Sequence, residues 1–159
     1  MNRDINKIIK LSSFFLILDI VVKLIVKNNM YLNESIKIID NFFYITYVKN
    51  TGAAWSILSG KQLLLILFTV IVIVWLVIYL YKKKTYTRIE KIGYSLLLGG
   101  AVGNLIDRVV YGYVIDYLNF YIFNYNYPIF NIADSCIVIG IMLLFISSWR
   151  EEYGVCSRK

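Results

Sequence analysis

A chain of 159 residues that is 59% hydrophobic, with a single proline, lies above the roughly 45 to 50% apolar content of soluble domains; an ordinary water-soluble fold is excluded, and one integral membrane domain over residues 1–159 is expected. The formal charge of +7 does not indicate nucleic acid, because the basic residues cluster beside apolar runs, as charge-directed membrane topology requires. The absence of histidine removes His-assisted serine or cysteine nucleophiles and HExxH zinc sites, so acid-base chemistry near neutral pH falls to carboxylates.

The first apolar run, Leu11 to Val26, follows Lys7 and Lys10 in the manner of a signal peptide. Asp19 and Lys23 interrupt it and no small-x-small cleavage site follows, so the expectation is a retained helix over about 8–26. Their i, i+4 spacing puts both side chains on one face, where each can neutralise the other in a low dielectric; a structural ion pair and a direct role both stay open. In the loop that follows, the β-branched and aromatic stretch Phe42 to Val48 reads as a strand, and Asn50-Thr51-Gly52 as a turn. The next run, Leu63 to Tyr81, holds 19 residues without a charge, enough to cross the hydrocarbon core at about 1.5 Å per residue; its predicted span is about 62–81.

Lys82-Lys83-Lys84 is a topogenic signal and secondarily an anionic-lipid contact. A third span, about 92–110, carries Ser95, Gly99 and Gly103 at intervals of four, a small-residue stripe suited to close helix approach, followed by Asn104, Asp107 and Arg108. Between Tyr111 and Tyr127 lie eight aromatics and no basic side chain, which suggests an interfacial segment, read as a short helix over the site. The fourth span, about 130–149, contains Asn131 and Asp134. Cys136 falls within it and Cys156 in the basic tail, implying neither a disulfide framework nor a metal cluster.

Eleven basic residues flank the termini and the connection between spans two and three, against four in the other two loops. Both termini are therefore expected in the cytoplasm, with Asp116 and Asp134 near the opposite face and Asp134 about one turn inside. A buried Asp costs about 2.5 to 3.5 kcal/mol at a helix centre and needs a partner or a wet cavity. Two carboxyl groups sharing a proton would divide labour as general base and general acid. Asp107, beside Arg108, is expected to stay ionised in a local charge network. On these residues alone, a transporter or channel subunit and an assembly protein with a polar helix seam stay open, although no internal repeat favours a transporter.

Five segments together resemble the lipoprotein signal peptidases, the type II signal peptidases of bacterial membranes: Asp19-x-x-x-Lys23; Asn50-Thr51-Gly52-Ala53-Ala54-Trp55; Gly99 through Arg108; Val114-Ile115-Asp116; and Phe130-Asn131-Ile132-Ala133-Asp134-Ser135. The chain departs from the family at Ile20, where glutamine is usual. The resemblance implies an all-α membrane protein of four transmembrane helices with a small extracytoplasmic β element, and an aspartyl endopeptidase whose catalytic pair is Asp116 and Asp134. It further implies that Asn50, Gly52, Ala53, Asn104, Arg108, Asn131 and Ala133 line or shape the substrate site, with Asp19 and Lys23 supporting it. The implied substrate is a diacylglyceryl-modified prolipoprotein cut on the amino side of its lipidated cysteine. No metal or cofactor is implied, the cyclic peptide globomycin is an expected inhibitor, and a monomer among membrane lipids is expected.

Overall fold

Long apolar runs become helices and the aromatic loops become strands in a computed structural model that describes residues 3–53, 57–123 and 125–154. The order is α1 (Arg3–Asn29), β1 (Ser35–Ile39), β2 (Phe43–Asn50), α2 (Gln62–Lys82), α3 (Arg88–Tyr111), β3 (Val114–Ile122), β4 (Tyr125–Asn126) and α4 (Ile132–Glu152). Ala54, Trp55 and Cys156 lie outside the described residues.

Helix α3 is the centre, and its glycines explain why. A Cβ on Gly99 would stand 2.8 Å from the Ser12 carbonyl oxygen of α1, and one on Gly100 would stand 2.4 Å from the Ala133 carbonyl oxygen of α4. Backbone thus packs against backbone on two sides of α3, as small-residue stripes permit. Thr87 and Glu90 close a reciprocal capping box at its start, and Gly112, with φ 76°, ends it in the left-handed conformation. Glycine takes that conformation without a Cβ penalty, and the turn sends the chain straight into β3.

Large apolar side chains such as Phe14, Phe68, Trp75 and Phe145 face outward, while Asp19, Lys23, Asn104, Asp107 and Asn131 are buried. This inverts the soluble pattern. Helices α2 and α4 are long and apolar enough to cross a membrane, and only 17% and 22% of their most apolar stretches is buried, unlike the core helix of a soluble domain.

The strands form one antiparallel sheet in the order β1-β2-β3-β4. Its inner face packs Tyr47, Ile115 and Tyr117 on Val22 and Val26 of α1 and Ile132 of α4. The strand expected over Phe42 to Val48 is present as β2. The interfacial helix expected between Tyr111 and Tyr127 is not: Val114–Ile122 is a strand paired with β2, with Asp116 opposite Val48 and Val114 opposite Asn50. β-Branched and aromatic residues alternating over a half-buried surface favour that pairing once β2 offers an edge. At the fourth helix, Phe130 bridges to Leu118 and Asn131 is the N-cap, so α4 begins just after both.

Candidate active site

The first turn of α4 presents N–H groups that the helix itself cannot satisfy, and β3, α1 and the N-cap residue Asn131 satisfy them. Ile132 N–H donates to the Tyr117 hydroxyl (3.4 Å), Ala133 N–H to Asp19 Oδ1 (2.9 Å), and Asp134 N–H to Asn131 Oδ1 (2.8 Å). The Asp134 carboxylate in turn accepts from Asn131 N–H (3.2 Å). This reciprocal capping box needs residues of these types three apart. Asp134 therefore sits in the first helical turn, and Asn131 just before it in extended backbone rather than on the same helical face.

Asn131 also ties the two carboxylates together. Its Nδ2 donates to Asp116 Oδ1 at 2.7 Å while its Oδ1 caps the backbone of Asp134. Each aspartate has a further amide donor: Asn50 Nδ2 to Asp116 Oδ2 (2.8 Å) and Asn104 Nδ2 to Asp134 Oδ1 (2.7 Å). Asp116 is 2% exposed and Asp134 is half-buried. Burial, and after it the charge of Asp134, pushes the Asp116 carboxyl up to about 7, against the pull of its Asn50 and Asn131 donors. The pair can thus hold one proton near neutral pH, the condition for one carboxyl to give a proton while the other takes one.

Beneath the pair lies a second polar cluster. Lys23 Nζ donates to Asn104 Oδ1 at 2.9 Å and forms ion pairs with Asp19 Oδ2 at 2.8 Å and Asp107 Oδ2 at 3.0 Å. A Cβ at position 103 would stand 2.6 Å from Asp19 Oδ2, so Gly103 leaves the space that carboxylate occupies. Asn104, holding Lys23 with its oxygen and Asp134 with its nitrogen, links the two clusters.

Asp107 is the residue that sequence reasoning undervalued. Its carboxylate pairs with Lys23 rather than with its chain neighbour Arg108, and it accepts Ile115 N–H at 3.1 Å, which holds the residue next to Asp116. The local signals were Arg108 beside it and Asn104 three residues before it, and neither points to Lys23. Arg108 turns instead to the loop after β2, donating to the Gly52 carbonyl oxygen at 3.1 Å and to its own helix at Asn104 O at 3.4 Å. Its Nε is buried with no partner among the described residues, leaving one N–H for an incoming acceptor. Gly52 N–H bonds to Asn50 Oδ1 (2.9 Å), so the Asn50-Thr51-Gly52 turn is tied to the site at both ends. Ala53 lies further out, its N–H on the Ile57 carbonyl oxygen at 2.7 Å.

The structure therefore brings Asp19, Lys23, Asn50, Gly52, Asn104, Arg108, Asp116, Asn131, Ala133 and Asp134 into one connected network. Among the described residues, no group of three or more Cys, Asp or Glu side chains is arranged to hold a metal ion.

Known proteins give this arrangement its context. Residues 11–150 match the family described as signal peptidase (SPase) II. The chain is 49% identical over 128 residues to the lipoprotein signal peptidase of Bacillus subtilis (strain 168), covering 80% of this chain and 83% of that one. It is 47% identical over 137 residues to the lipoprotein signal peptidase of Halothermothrix orenii, covering 86% and 91%. A bacterial membrane enzyme solved by the in meso method at 2.3 Å resolution superposes with a TM-score of 0.89 at 38% identity, covering 98% and 94% of the two chains. A second such enzyme, solved at 1.9 Å, gives 0.81 at 41% identity, covering 90% and 92%. The chain belongs to the signal peptidase II family, as a membrane peptidase of bacterial type.

Proposed function

We propose that Asp116 and Asp134 are the catalytic pair with which this peptidase removes signal peptides from prolipoproteins, and that the bond cut is the one on the amino side of a diacylglyceryl-modified cysteine. The observation that carries this reading is the Asn131 bridge, which joins two buried or half-buried carboxylates and leaves each with an amide donor of its own. In this reaction the ionised carboxylate takes a proton from water as the water oxygen attacks the peptide carbonyl carbon. The protonated carboxyl meanwhile gives its proton to the carbonyl oxygen. Collapse of the tetrahedral adduct breaks the C–N bond, the leaving amine takes up a proton, and the pair returns to one shared proton. General acid-base action of this kind contributes about 10² to 10⁴-fold, so positioning must supply much of the rest.

Arg108 Nε, buried without a partner among the described residues, meets a substrate carbonyl or lipid oxygen. Asn50, Gly52 and Asn131 shape the substrate site, and Asp19 and Lys23 hold the start of α4. All four helices cross the membrane in this reading, with both termini in the cytoplasm and the pair near the outer face. A signal peptide inserts with its basic end inside, which delivers its cleavage site to the same face. The lipid on the cysteine keeps that bond at bilayer level. The peptidase acts as a monomer without metal or cofactor, and globomycin competes at the pair.

The test is cleavage of a diacylglyceryl-modified prolipoprotein, followed by gel shift. Asp116→Asn and Asp134→Asn should each abolish cleavage while the protein still inserts in the membrane, and the double variant should be scarcely worse, since members of one catalytic unit are non-additive. Substantial turnover by either single variant removes the assignment.

A further inference from the structure

At the end of the bundle opposite the carboxylates, a cavity of about 400 Å³ opens between α2, α3 and α4, lined by Tyr79, Lys83, Glu90, Tyr94, Ser148 and Glu151 among apolar residues of α4. Its charged walls are two carboxylates against one ammonium, and Lys83 is already paired with Glu90. Lys82, Lys84 and Arg88 do not line it. The last turns of α2 and α4 both reach it, and helix carboxyl ends carry partial negative charge that favours cations. Two tyrosines, Tyr79 and Tyr94, also line it. Among the described residues, Lys83 is the one cation that lines it.

Two helical stripes connect this cavity to the cleavage site. On α3, Glu90 and Arg108 stand eighteen residues apart, five turns at 3.6 residues each, hence on one face and about 27 Å apart. On α4, Asp134, Val138, Ile141, Phe145 and Ser148 follow one another at intervals of three or four; Val138, Ile141 and Phe145 are all exposed, and Ile141, Phe145 and Ser148 reach the cavity. From Asp134 to Ser148 is about 21 Å at 1.5 Å per residue. A signal peptide has a basic start and an apolar segment of about 7 to 15 residues, about 10 to 22 Å as a helix, with a few extended residues before the cut. The two lengths match.

We propose that this cavity binds the cationic amino-terminal end of the signal peptide, with Glu151 as the group that meets it, while the apolar segment lies along the exposed stripe of α4. The inference rests on the peptidase reading above and adds a second recognition point at the far end of the same substrate. Such a contact holds substrate and transition state equally, so it acts on KM and leaves kcat alone.

The experiment is a double-mutant cycle between enzyme and substrate, using the full chain in lipid nanodiscs of defined composition. Parent and Glu151→Gln enzymes are each given a diacylglyceryl-modified prolipoprotein with its natural basic start, and the same substrate with those lysines and arginines replaced by serine. Either change alone should raise KM about fivefold, the scale of a partly exposed charge pair, and the two together should raise it no further. Effects that multiply, or a KM unmoved by Glu151→Gln, overturn the proposal. A rise in KM that follows the fraction of anionic lipid and not the substrate's charges also overturns it, in favour of a lipid headgroup. Failure of the parent enzyme to cleave either substrate overturns the peptidase reading along with this one, whereas cleavage without coupling overturns this one alone.

Discussion

At Lys23 three buried acceptors meet one ammonium, and two of them, Asp19 and Asp107, are charged. Removing the ammonium strands both carboxylates away from water, and breaking a buried pair typically costs about 3 to 5 kcal/mol. Lys23→Ala should therefore lower thermal stability strongly, whereas Asp107→Asn, whose amide oxygen can still accept from Lys23 or Ile115 N–H, should keep a stable fold and measurable cleavage. Equal unfolding temperatures for the two variants would remove the electrostatic account of this cluster. Asp116 gives a pH dependence with a definite sign. Its carboxyl is raised to about 7, by burial first and then by the charge of Asp134, so it keeps its proton below that pH and loses it above. Under the proposed mechanism the one-proton state is the active one, so cleavage should fall as pH rises through about 7; a rate that holds level well into the alkaline range would mean that the shared proton is not required.

The elements meet where side chains are smallest. Gly100 faces the carbonyl oxygen of Ala133, one residue before Asp134, and an added Cβ would be 2.4 Å from it. That neighbour is backbone and cannot swing aside, so Gly100→Ala must move the first turn of α4 off α3 and carry Asp134 with it. A displacement of about 1 Å at a catalytic group can cost on the order of 10²-fold in rate, the expected loss for this variant when kcat is compared with the parent. Gly112→Ala is a useful contrast. An added Cβ meets nothing within 4 Å there, but φ is +76°, so the cost is conformational, about 1 kcal/mol of stability. Parental kcat in Gly100→Ala would show that the α3–α4 contact does not set the position of the pair.

For the whole molecule, the arrangement proposed above from the basic residues puts the sheet and the carboxylate pair outside the bilayer and the connection between α2 and α3 inside. In a Cys136→Ala, Cys156→Ala background, a cysteine at Tyr31, which is 85% exposed, should react with a membrane-impermeant thiol reagent added from outside. One at Thr85, between α2 and α3, should react only after the membrane is opened. Labelling of both from the same side would overturn the topology, and with it the placing of the cleavage site.

Features set by neighbours in the chain were legible before any fold was known: the uncharged run that forms α2, the i, i+4 pair of Asp19 and Lys23, the β2 strand and the small-residue stripe on α3 each depend on spacing within a few residues. The importance of Asn131 and Asp134 was legible too, as polar groups in an otherwise apolar run, but that they form a capping box, with Asn131 ahead of the helix, is visible only in the fold. What the amino-acid order could not decide by itself depends on residues far apart in the chain. The aromatic stretch after Tyr111 is compatible with an interfacial helix or a strand, and the free edge of β2 selects the strand. Asp107 has a cation beside it in sequence, yet helix packing gives it Lys23 from α1 and the N–H of Ile115. The bridge from Asn131 to Asp116 exists only because β3, pinned against β2, is laid across the start of α4. Local spacing determined which groups could act, and tertiary packing decided which carboxylates one amide bridges, since that depends on buried distances of a few ångströms.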